Sequence, residues 1–192
     1  MLALDLSLSS TGWARFHKGK LIASGSIKPC ESLSNFRKLH NIFDLISGLI
    51  KEDGDIVVVE DTYSGPNKKT YKELSRLAGT AIYLSIKYTN KDPVFYEASK
   101  ARKLVGINTK VTKFDSQIWI IEQFFSEINI KPYMKLADEV RKDYVSRKIT
   151  KSQYDYQLDE KLSKLVERET GISNDQTDSV IVGLAHLEAT KK

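Results

Sequence analysis

The chain has a single cysteine, Cys30, in 192 residues. An internal disulfide is therefore excluded, and so is any zinc site built on several thiolates. No apolar run approaches the ~20 residues of a membrane span. No basic segment precedes the first strand-like run, so no signal peptide is expected and the protein reads as cytoplasmic, without a membrane partner. Internal repeats and low-complexity tracts are also missing. What remains is ordinary globular material. Hydrophobic residues make up 41% of the chain, enough for one domain, 1–192, with a full core. A net charge of +5 and a pI near 9.1 favour an anionic partner, though charge of this size does not identify one.

Against that background one feature stands out. The first apolar run, Met1-Leu-Ala-Leu-Asp-Leu-Ser-Leu8, carries Asp5 in its middle. A carboxylate on a buried strand is costly to desolvate unless it is paired or holds a cation. A second run, Ile56-Val-Val-Val59, ends in Glu60, and Asp175 and Asp178 stand three apart at the start of an apolar C-terminal helix. Residues i and i+3 share a helix face. Four carboxylates on three separated elements point to one site for a hard cation. Mg²⁺ prefers oxygen donors, and a pair of such ions about 4 Å apart suits hydrolytic phosphoryl transfer. The expectation is two Mg²⁺, replaceable by Mn²⁺, on Asp5, Glu60, Asp175 and Asp178. The competing readings are a salt-bridged core aspartate, a strand-exit glutamate, and a helix N-cap at Asp175.

The pattern predicts strands over 2–8 and 13–17, joined by a tight turn in which Gly12 supplies the dihedrals. It predicts a strand over 20–27, a helix over 34–50, a two-faced apolar strand over 56–60, a helix from about 70 to 88 and a strand over 94–98. Asp115 is expected to cap the next helix. Residues 131–170 hold ten Lys/Arg and eight Asp/Glu, too polar for a sheet layer. They read as an inserted helical hairpin with sparse apolar positions at Leu136, Val140, Tyr144, Leu158, Leu162 and Leu165, its second half opened by a Thr150-x-x-Gln153 capping box. A last helix follows from about 175 to 189. The fold class is mixed α/β.

Two basic clusters accompany the acids. Lys68, Lys69, Lys72 and Arg76 precede or enter the helix expected from about 70 to 88, and Lys100, Arg102, Lys103, Lys110 and Lys113 lie further on. Lysines at such places track phosphates, and aromatics among them stack on bases. His186, Trp13 and Trp119 read as packing residues.

Asp5-x-Ser-x-x-x-Thr-Gly-Trp13, Val57-Val-Val-Glu60 and Asn174-Asp-x-x-Asp-Ser179 resemble the RuvC Holliday junction resolvases. Lys72-Glu-Leu-Ser-Arg-Leu-Ala-Gly-Thr-Ala-Ile82, Val94-Phe-Tyr-Glu-Ala-Ser99 and Lys103-Leu-Val-Gly106 are similar to the segments between. The resemblance covers about 1–128 and 172–189. It implies an RNase H-like fold, a homodimer, and metal-dependent paired nicking of a four-way DNA junction by Asp5, Glu60, Asp175 and Asp178. It implies a base-contacting aromatic at Tyr63, and a lysine near the acids at Lys110 or Lys113. The 131–170 segment departs from the compact members. Alternatives are an actin/hexokinase-type phosphotransferase, which needs a second similar domain, and an inactive DNA-binding module of the same fold.

Overall fold

The computed structural model of the chain describes residues 1–53, 55–61, 67–108 and 112–191. Five strands form one sheet: β1 (Leu2–Asp5), β2 (Thr11–His17), β3 (Lys20–Ile27), β4 (Val57–Glu60) and β5 (Val94–Tyr96), in the order β3-β2-β1-β4-β5. The first three form an antiparallel meander, while β4 and β5 run parallel to β1. The mixed sheet expected from the sequence is present, flanked by helices on both faces.

Side-chain alternation sorts the two faces. Leu2, Leu4, Val57 and Val59 point to α1 (Asn35–Asp53) and α2 (Lys68–Thr89), where Ile42, Ile46, Ile50, Leu77, Ala81 and Leu84 close the layer. Ala3, Val58, Ala14, Phe16 and Tyr96 point the other way, to α8 (Asn174–Ala189) with α3 (Ala98–Leu104) and α4 (Lys113–Phe124) beside it. Burying each aliphatic side chain contributes roughly 1.5–3 kcal/mol, so β1 and β4, buried on both faces, anchor the domain.

A third core lies outside the sheet. Between α4 and α8 the chain forms α5 (Lys131–Val145), then a rod of α6 (Lys151–Asp155), a π-helical stretch (Tyr156–Leu162) and α7 (Ser163–Thr170). Thr150 and Gln153 form the expected capping box. Phe114, Ile118 and Ile121 of α4 meet Tyr133, Ala137, Leu158, Leu162 and Val166 there. Within α5, Tyr133 and Ala137 are buried, whereas Leu136 and Tyr144 are exposed. Two corrections concern helix starts. The α4 N-cap is Thr112, with Asp115 as its reciprocal partner three residues on. The α8 N-cap is Ser173, which accepts from the Gln176 N–H at 3.1 Å. Asp175 is therefore free of capping duty.

Candidate active site

The strands deliver two of the four carboxylates. Asp5 ends β1 with the parity of Ala3, and Glu60 ends β4 with the parity of Val58, so both point to the α8 face. Leu4 pairs with Val59 in the parallel ladder, and one further step brings Asp5 beside Glu60. Beyond Asp5 the chain turns back at once. Thr11 Oγ1 donates to the Ser7 carbonyl at 2.7 Å and accepts from the Ser7 N–H at 3.1 Å. The serine and threonine of the first motif thus close the turn that follows the aspartate.

The other two carboxylates arrive on α8, which must come very close to the sheet. Gly12 makes this possible. It pairs with Asp5 across the antiparallel ladder, and a Cβ built on it would lie 1.8 Å from the Asp175 carbonyl oxygen. Its φ is not in the left-handed region; the positive-φ glycines described are Gly19, Gly106 and Gly171. The expected turn glycine is therefore a strand glycine that yields space to a helix backbone. About two turns further along α8, Gly183 does the same for the Phe16 ring, which a Cβ would meet at 2.2 Å. Polar contacts fix the helix start. Gln176 Nε2 donates to Ser24 Oγ at 2.8 Å, and Ser163 Oγ lies 2.8 Å from Asn174 Oδ1 and 2.9 Å from Gln117 Oε1.

The electrostatics confirm that the four groups share one neighbourhood. The Asp5 carboxyl is pushed well above its ordinary value, first by burial and then by the charges of Glu60, Asp178 and Asp175. Glu60 is raised to about 7, again chiefly by burial, with Asp178 the strongest repulsive neighbour. Burial also raises Asp178, although Arg102 opposes it. Such clustering of perturbed carboxyls marks functional sites more often than structural ones. Among the described residues, however, no three His, Cys, Asp or Glu stand as a ready-made group around a metal ion. The acids are gathered, and they are not closed on a common point.

Two cations face them. Lys113, the first residue of α4, lowers Asp5, Glu60 and Asp178 alike. Of the two candidate lysines, Lys113 lies near the acids; Lys110 lies outside the described residues, as does Tyr63. Arg102 Nη2 donates to Asp178 Oδ1 at 3.0 Å. Sequence reading placed Arg102 in a basic cluster and missed this partner, because it missed α3, a helix of seven residues. The available signal was position: α3 begins two residues after β5, at the sheet end that holds Glu60.

The remaining basic residues are spread over the surface. Lys68, Lys69 and Lys72 are exposed on the first turns of α2, whose N-cap Asn67 accepts from the Lys69 and Thr70 N–H groups. Arg76 lies over the Phe36 ring at 5.5 Å. Lys100 and Lys103 are exposed on α3, with Lys100 6.0 Å from the Tyr96 ring centre. His186 is a packing residue as expected, its Nδ1 3.3 Å from the Tyr96 hydroxyl.

No family model and no curated protein matches the chain. Solved structures do. A Thermus thermophilus RuvC in complex with a Holliday junction substrate superposes with a TM-score of 0.59 at 8% identity, covering 99% of this chain and 93% of that one. A second structure of Thermus thermophilus RuvC gives 0.58 at 10% identity, covering 100% and 96%. The fold is RuvC-like. At such identity the likeness is one of architecture, and the RuvC-like sheet here accounts for why the three acid-bearing elements end together. No described helix is long and apolar enough to cross a membrane.

Proposed function

We propose that the chain is a metal-dependent, structure-specific endonuclease that nicks four-way DNA junctions. The observation that carries this reading is the convergence of Asp5, Glu60, Asp175 and Asp178 at one end of a RuvC-like sheet, where burial and mutual repulsion leave negative charge uncompensated. Its support from the comparisons is that a protein of this fold has been captured on a Holliday junction.

The donor set fits a hard divalent cation. All four groups offer oxygen, and the upward shifts of Asp5, Glu60 and Asp178, caused first by burial and then by neighbouring acids, are what a bound cation would relieve. Asp5, Glu60, Asp175 and Asp178 would hold Mg²⁺, two ions at full occupancy, with Mn²⁺ as substitute. The bound metal would supply Lewis-acid stabilisation of the phosphodiester in its transition state and an activated water. The chain's own residues do the rest. Burial of the acids in the α8 face keeps the donors rigid. Lys113, beside them, offsets the repulsion a DNA phosphate meets on approaching an acidic centre. Lys68, Lys69 and Lys72 extend a cationic track along the start of α2, where the helix N-terminus adds partial positive charge. Lys100 and Lys103 do the same on α3, and Arg76 lends charge from its seat on Phe36. Tyr63 is proposed to stack on bases opened at the crossover.

Junction resolution asks for two opposed cuts, and a two-fold dimer matches the two-fold symmetry of a four-way junction. The α2 face is the proposed dimer surface. Ile82, Tyr83 and Ile86 are 39%, 54% and 46% exposed there, next to Gly79, beside which there is open space. Ala81, nearby in sequence, takes no part in this surface, because it is buried in the chain's own core.

The test is a gel assay of a labelled synthetic four-way junction against linear duplex, in Mg²⁺ and in EDTA. The expected result is paired nicks on the junction in Mg²⁺ alone. Equal cutting of both substrates, or none in Mg²⁺ or Mn²⁺, would overturn the proposal.

A further inference from the structure

Arg102 enters the acid cluster from α3 with most of its side chain buried; it is 21% exposed, and its partner Asp178 is 17% exposed. The pairing is one-sided. Nη2 serves Asp178 Oδ1 at 3.0 Å, whereas Nε is buried and finds no hydrogen-bond acceptor among the described residues. A guanidinium presents five donors in a rigid fork, and its strong pairs with carboxylates use two parallel bonds. A buried donor left unmade is unfavourable. Arg102 is therefore held at a single nitrogen, beside Glu60 as well as Asp178, and the latter is turned toward arginine while the acids stay unclosed around any common point.

We propose that Arg102 is the resident counter-cation of the acid cluster, holding Asp178 while no divalent ion is present and releasing it when one binds. This rests on the metal-centre reading above. Arg102 takes up part of the repulsion among the clustered carboxylates, which lets the sheet end and α8 pack without metal. It also competes with the metal for Asp178. Its incomplete pairing makes the exchange feasible, because only one hydrogen bond is given up and the orphaned Nε–H is freed to find an acceptor.

The experiment is calorimetric titration of the full-length chain with Mn²⁺ in the absence of DNA. Arg102→Gln, which removes the competing charge and keeps an amide donor, is expected to bind Mn²⁺ roughly tenfold more tightly than wild type. Arg102→Lys, which keeps the charge, is expected to stay near wild type. A second readout needs no substitution: in the wild-type chain the Arg102 Nε–H resonance is expected to shift on addition of Mg²⁺. Unchanged or weaker Mn²⁺ binding by Arg102→Gln, with wild type binding normally, would overturn the counter-cation role alone. So would an unmoved Nε–H resonance at saturating Mg²⁺. Failure of wild type to bind Mn²⁺ at all would instead remove the metal-centre reading beneath it.

Discussion

The acidic end of the sheet and the outer face of α2 break the same rule in opposite directions. At the sheet end, charge is buried where apolar side chains belong: Asp5 and Glu60 sit beside fully buried Leu4 and Val59. On α2, apolar side chains are exposed where charge belongs, at Ile82, Tyr83 and Ile86. Each is unfavourable in the isolated chain, the first by desolvation and repulsion, the second by hydration of apolar surface. The comparison teaches that an unfavourable surface names its missing partner by chemistry. On the proposed reading, a cation would relieve the acids and a second apolar surface would cover the α2 face.

The sharpest way to break this comparison is to neutralise the acids. Asp5→Asn, Glu60→Gln and Asp178→Asn are each expected to abolish junction nicking, a loss of several kcal/mol in transition-state stabilisation. Asp5→Asn is also expected to raise the melting temperature in EDTA, since it removes a buried repulsive charge. A variant that keeps more than about a tenth of the wild-type rate leaves the metal set. An Asp5→Asn protein that melts lower in EDTA contradicts the repulsion itself.

The two regions also differ at their glycines, which gives a matched pair. Gly12→Ala drives a methyl into the Asp175 carbonyl at 1.8 Å. Overpacking of this kind costs about 1–3 kcal/mol or more, and it should displace Asp175 and lower cleavage together with stability. Gly79→Ala meets nothing within 4 Å. In a helix interior it is expected to stabilise the monomer by roughly 1 kcal/mol. Denaturant melts of the two variants check both. Equal effects would show that the close approach of α8 is not what Gly12 permits.

On the α2 face, Ile82→Glu and Ile86→Glu are expected to shift the chain from dimer to monomer in light scattering at micromolar concentration. Each variant should lose paired nicking while single nicks persist. Wild type found as monomer with and without junction DNA would sink the dimer.

The smallest effect is a pH dependence. Folded Glu60 holds its proton up to about 7, against an ordinary value of 4.5. Between those values the folded chain binds more protons than the unfolded chain, so stability in EDTA falls as pH rises through that window. A drop of a few degrees in melting temperature is expected from pH 5 to pH 8, abolished by Mg²⁺. A melting temperature that rises over this range without metal contradicts the assignment.

The sequence made some of this legible and hid the rest for physical reasons. Asp5 and Glu60 could be read because each interrupts an apolar strand, an unfavourable event that composition records. The sheet followed from runs with clear periodicity. Gly12 was misread because a glycine beside Ser-Ser-Thr fits a turn, and its real duty depends on a helix more than 160 residues away. Helix α3 escaped because seven residues are too few for a period to show, and with it went the partner of Asp178. Tyr63 and Lys110 lie outside the described residues.

The docking of α8 against Gly12 has a consequence for how the molecule comes into being. The first and the last elements of the chain meet at the carboxylates, so these contacts span nearly the whole sequence, the kind that form late and slowly. During synthesis Asp5 and Glu60 emerge early, on strands that can already pair. Asp175 and Asp178 follow only after the third core has been made. A nascent or truncated chain would thus carry half a cluster, unable to cut nucleic acid on the proposed reading. On that reading, the four acids would come together only once α8 has docked against Gly12.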